Sequence, residues 1–149
     1  MRRQDIRCDA GFSLVEILIT IAIVGITFSA ILGGLYSSIT VSALQRKEAT
    51  ADTVARSAAE VVKDSEHNPY NNCAGSGAYS LTGLSVPSGF SVSITDVAYW
   101  DGQPPAGGAV VFQSNCPSPD KGIQRITIAA TSADGQATET VQVLKRRVP

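Results

Sequence analysis

The chain has 149 residues, a formal net charge of −1, 17% charged and 44% hydrophobic residues. That is room for one domain, with no basic excess to indicate nucleic acid as a partner. One histidine and three cysteines supply no HExxH, nucleophile elbow, phosphate loop or paired acids on one element, and Asp134-Gly135 lacks the companion acids of an EF-hand. The sequence therefore points away from an enzyme, and it names no catalytic residue, cofactor or metal set.

The charges are unevenly spread. Arg2, Arg3 and Arg7 precede a long apolar run, and the 19 residues from Ile17 to Leu35 carry no charge. A helix needs roughly 20 residues to cross the hydrocarbon of a bilayer, so this run can span. The basic residues before it keep the amino end inside and send the carboxyl end out. The run is longer than the 7 to 15 residues usual for a secretory signal core. An uncleaved anchor would leave Glu16 unexplained, because a carboxylate in an apolar span costs about 2.5 to 3.5 kcal/mol at mid-bilayer, and less near the end. Gly25 and Gly33-Gly34 interrupt the run, each costing about 0.5 to 1 kcal/mol relative to alanine. They suit close contacts between helices, or a locally weakened helix.

The string Gly11-Phe12-Ser13-Leu14-Val15-Glu16, opening this run behind a short basic leader, resembles the prepilin cleavage and methylation motif of type IV pilins, minor pilins and type II secretion pseudopilins. The resemblance implies cleavage between Gly11 and Phe12 by a prepilin peptidase and methylation of the new amino terminus at Phe12. It also implies that Glu16 attracts the terminal amine of a neighbouring subunit during assembly. It covers roughly the first 40 residues. On this reading residues 1–11 are a cleaved leader, 12–42 a transmembrane and filament-core helix, and 43–149 an extracytoplasmic globular domain that includes the second half of the helix.

Past the membrane segment, Val41, Leu44, Ala51, Val54, Ala58 and Val61 recur at helical spacing. No proline or glycine intervenes between Tyr36 and Asn68, which predicts one helix from about Phe12 to about Glu66. His67 before Pro69 suits a helix end better than a metal. Residues Asn68–Gly77 read as turn chemistry around Cys73. Strands are predicted at Phe90–Ile94 continuing through Val97–Trp100, at Ala109–Phe112 after the Pro104-Pro105 and Gly107-Gly108 breakers, at Ile123–Thr131 and at Ala137–Leu144. The last two form a hairpin turning at Asp134-Gly135, with Ile126, Ile128, Val141 and Val143 inward. The expected fold is α+β, a long helix against an antiparallel sheet of about four strands. Beyond Tyr36 nine Lys/Arg balance ten Asp/Glu, and the run Lys145-Arg146-Arg147 reads as a solvated tail.

Loss of the leader would remove Cys8 and leave Cys73 and Cys116 as an even pair, expected to form a disulfide in an oxidising compartment. A loop of that size is worth about 4 kcal/mol on chain-entropy grounds. The expected function is a structural subunit of a type IV pilus or pilus-like filament, most simply a minor pilin. It would sit in the cytoplasmic membrane as a single-pass chain before assembly, and in a surface filament or fimbrium after. Its expected partners are the prepilin peptidase, other pilin subunits through the amino-terminal helix, and the membrane assembly machinery. A secretion pseudopilin, or a membrane-tethered binding module that never polymerises, are the alternatives.

Overall fold

The computed structural model describes residues 13–103 and 110–148. The expected cleavage and methylation positions Gly11 and Phe12, the cysteine at 8 and the breakers between 104 and 109 lie outside them. One helix, α1, runs Leu14–Lys63, followed by a short 3-10 turn at Ser76–Ala78 and four strands. The strands are β1 Phe90–Trp100, β2 Phe112–Gln113, β3 Ile123–Ser132 and β4 Thr138–Arg146. Neighbours in the order β2-β1-β3-β4 all pair antiparallel. The fold is α+β. The chain divides between Ser42 and Ala43 into two compact units.

In the first unit α1 opens at Ser13, whose carbonyl accepts the amides of Glu16 and Ile17. Glu16 stands in the first turn, where the positive end of the helix dipole favours an anion. The hydroxyls of Thr20, Thr27, Ser29 and Thr40 each donate to the carbonyl four residues earlier, so they present few unmet polar groups to an apolar surrounding. The helix is continuous through Gly25, Gly33 and Gly34, and a Cβ at any of the three would meet open space.

In the second unit the carboxyl half of α1 buries Ala51, Val54, Ala55, Ala58, Ala59 and Val62. This face is rotated from the predicted one. Val41 and Leu44 are 49% and 37% exposed, and Val62 rather than Val61 is fully buried. Alanine contributes little to a hydrophobic pattern but lets the helix axis approach the sheet closely, so an alanine-rich seam won over a stripe of larger residues. The cluster opposite it holds Val97, Tyr99, Ile126, Ile128 and Val143, with Ala130 under Ala51, Val54 and Ala55.

A bulge keeps β1 in phase with this core. Phe90, Val92 and Ile94 pack inward from even positions, whereas Val97 and Tyr99 do so from odd ones. The register shift between Ile94 and Asp96 absorbs the extra residue that the change of parity requires. The β3–β4 hairpin places Ile126 opposite Val143 and Ile128 opposite Val141, the predicted inward pairs. Its turn contains Gly135 at φ 70, a left-handed backbone that glycine adopts without penalty.

Three boundaries differ from the sequence reading. α1 ends at Lys63 rather than about Glu66, β2 is only Phe112–Gln113, and β4 runs on through Arg146. The extension of β4 overturns the reading of 145–147 as a tail, with Arg146 and Arg147 exposed but Lys145 buried. Lys145 is 5% exposed, its Nζ donates to the Val62 carbonyl at 2.6 Å and it lies 5.6 Å from the Tyr79 ring centre. Arg147 stacks over Tyr70 at 5.4 Å and donates to Asn72 Oδ1 at 2.6 Å. The last carbonyls of a helix lack partners within it. Here Lys145 satisfies Val62, and Asn68 Nδ2 satisfies Val61 at 2.9 Å. Those two side chains, rather than His67, close the helix. His67 is exposed and sits 2.6 Å from the Asp64 carboxylate.

Candidate assembly site

Residues 14–42 form a helix that is apolar on every side. Leu18, Ile19, Val24 and Ile21 are 59%, 55%, 59% and 64% exposed, and at about 100° per residue they point to all sides of the helix. The best 18-residue window of α1 has a mean hydropathy of 2.4, and none of it is buried. Such a surface is stable only under lipid or under other protein. Glu16 is the one ionisable group from Leu14 to Ser42 apart from the Tyr36 phenol. Its position at the helix start leaves the carboxylate exposed at the amino end of the apolar surface.

The second unit carries several polar nodes, each with an evident structural task. Lys47 bonds the hairpin turn through the Asp134 carboxylate and through Gln136 Oε1 at 2.8 Å. That lysine, with the Ser132 hydroxyl and the Gln136 amide, holds the Asp134 carboxyl well below the usual carboxylate range. Burial pushes the Lys145 amine down, partly opposed by Asp64. Burial also pushes the Asp120 carboxyl up. Hydrogen bonds from the amides of Gly122 and Cys73 and from the Tyr70 hydroxyl, with the charge of Arg147, outweigh that and leave it below its ordinary value.

Cys73 and Cys116 are joined by a disulfide. Their sulfurs and an Asp120 oxygen lie within 4.8 Å of one another. As a metal set this trio is spent, since the sulfurs are bonded to each other and the carboxylate accepts from three donors, the Tyr70 hydroxyl, which reaches both oxygens, and the amides of Cys73 and Gly122. A cleft of about 400 Å³ beside the helix end is lined by Lys63, Tyr70, Lys145, Arg146 and Arg147 among others. Of its cations Lys63, Lys145 and Arg147 have partners elsewhere or stack on tyrosine, and the lining includes no carboxylate side chain to pair with them as acid and base.

Residues 6–32 match the family model described as the prokaryotic N-terminal methylation motif. The chain carries the prepilin signal of type IV pilins and pseudopilins. The motif supports a subunit of the type IV pilin-like or pseudopilin class, a structural rather than enzymatic family. It also implies processing by a prepilin peptidase and assembly with other pilins. With the apolar helix, it fits insertion into a membrane before assembly. Neither curated proteins nor solved structures gave a match to the chain.

Of the residues singled out from sequence, the structure describes Glu16, Cys73 and Cys116, and it brings the two cysteines together. Asp120, Asn68 and Lys145 were missed. The first had a legible signal: Asp120-Lys121-Gly122 is a turn in which an aspartate accepts the amide two residues on, as Asp120 does from Gly122 at 2.7 Å.

Proposed function

We propose that the chain is a minor pilin, made as a precursor, cut between Gly11 and Phe12 by prepilin peptidase and methylated at Phe12. The observation that carries this reading is the coincidence of the methylation motif with a helix whose apolar surface is uncovered on all sides. Residues 12–42 would lie in the bilayer before assembly and in the filament core after, with residues 43–149 outside the cell as the globular domain. The same motif serves secretion pseudopilins, so the two readings part at the filament in which the chain is found.

In the filament core, Glu16 would pair with the methylated amine of Phe12 on a neighbouring subunit. Opposite charges attract strongly at low dielectric, and each is costly when left alone there. The glycine before the cut has no side chain, which lets a protease approach the backbone. Gly11→Val is expected to leave full-length precursor in the membrane. Mass spectrometry of purified surface filaments tests the proposal: it should find this chain at low stoichiometry, beginning at methylated Phe12. A filament-associated chain that still begins at Met1 would refute the processing, and a chain absent from surface pili but present in a secretion filament would favour the pseudopilin.

A further inference from the structure

The segment 70–74, which carries Cys73, is tied to the rest of the domain at every residue. The Tyr70 hydroxyl donates to Asp120 at 2.8 Å, and the Asn71 carbonyl accepts from Gln124 Nε2 at 2.7 Å. The Asn72 side chain accepts from Arg147 at 2.6 Å. The Cys73 amide donates to Asp120 at 2.9 Å, and the Ala74 carbonyl accepts from the Tyr99 hydroxyl at 2.7 Å. Five consecutive residues thus reach β1, β3, the 120–122 turn and the carboxyl-terminal residues without using the sulfur bond. Three of the groups that hold the segment are themselves buried or nearly so: Gln124 is 0% exposed and Tyr99 6%, and the Asp120 side chain is 5% exposed.

Asp120 is the member that spans both cysteines. It follows Cys116 by four residues, so it belongs to the segment that carries the second sulfur, yet one of its oxygens holds the amide of Cys73. Cys73 has a φ of 52, the one positive φ outside glycine among the described residues. Side chains with a Cβ enter that region at a cost, and the hydrogen bond from the Cys73 amide to Asp120 helps hold Cys73 there. Asp120 also braces its own turn through Gly122.

We propose that Asp120 is a positioning residue for the disulfide: the reduced domain folds first, and the Asp120 hub then holds the Cys73 and Cys116 thiols side by side for oxidation. The bond would form by exchange with an external disulfide, whether a small molecule or an oxidoreductase. One thiolate attacks it, giving a mixed disulfide and releasing one thiol. The second thiolate then displaces the other thiol. Two electrons and two protons leave the chain for the oxidant.

The test is the equilibrium of the full-length chain carrying Cys8→Ser, so that Cys73 and Cys116 are its only thiols, in detergent micelles, with mixtures of reduced and oxidised glutathione. This yields the effective concentration of the two thiols. Asp120→Ala should lower it at least tenfold, which is a rise of about 30 mV in reduction potential. Asp120→Asn sets an NH2 group against either the Cys73 or the Gly122 amide, each of which needs an acceptor, and should lower it too. Cys73→Ser/Cys116→Ser should still unfold cooperatively in urea, because the five ties survive it. Should Asp120→Ala unfold on reduction while the parent does not, its thiols fall to the effective concentration of an open chain, the same result in its extreme form. Equal effective concentrations in parent and Asp120→Ala, or a double serine variant without a cooperative transition, would each overturn the proposal.

Discussion

The two units use the same helix to opposite ends. From Leu14 to Ser42 its large apolar side chains are exposed among the described residues, whereas from Ala51 to Val62 its small ones are buried against a sheet. The first half has hydroxyls turned back onto its own backbone; the second has lysines, arginines and acids on its outer side and tertiary partners on its last carbonyls. One half is complete only in lipid or among other subunits, and the other is complete in water. A filament subunit needs both, since the first supplies the affinity of copies for each other and the second keeps a folded body beyond it.

This contrast can be broken by substitution. Ile128→Ala removes a fully buried side chain and should cost about 3 kcal/mol in urea unfolding of the globular unit. Ile21→Ala, 64% exposed before the change, should leave that transition where it was. Next in size is Asn68→Ala. Its buried amide satisfies the Val61 and Ser80 carbonyls and the Ser80 amide, and losing them should cost about 2 kcal/mol by the same measurement.

Smaller still is the pH dependence. The folded-state pKa values of Asp120 and Asp134 both lie below the ordinary 3.8. Their contribution is therefore present above that value and is lost as pH falls through their folded values. Urea midpoints should decline on acidification below about pH 4, and Asp134→Asn should shallow the decline. Smallest is Arg56→Ala. It breaks an exposed pair with Asp52 on the water-facing side of the helix and should leave the midpoint unchanged within error.

The α+β architecture was legible because its signals are local: an uncharged run, helical spacing, alternation at Ile126, Ile128, Val141 and Val143, and an Asp-Gly turn. The rest depended on partners distant in the chain. Lys145 reads as a tail residue until β4 carries it under the end of α1, where a carbonyl 83 residues earlier needs a donor. The alanine seam was underweighted because its value lies in close approach, which no hydropathy scale records. Strand order follows from β1 pairing with β3 past the 101–122 connection, a choice that alternation alone cannot make. At the assembly site, the motif from Gly11 to Glu16 was legible as a string, and the structure adds the exposed setting of Glu16 at the head of an uncovered helix.

In the proposed function Glu16 is an assembly group rather than a marker of the membrane boundary. Glu16→Ala or Glu16→Gln should still insert and lose the leader, because neither changes the span nor the residues at the cut. Shearing filaments from cells and blotting the sheared fraction for this chain measures the claim directly. The pairing mechanism predicts mature Glu16→Ala protein that stays in the membrane and is depleted from the filaments; undiminished protein in the sheared fraction would contradict it.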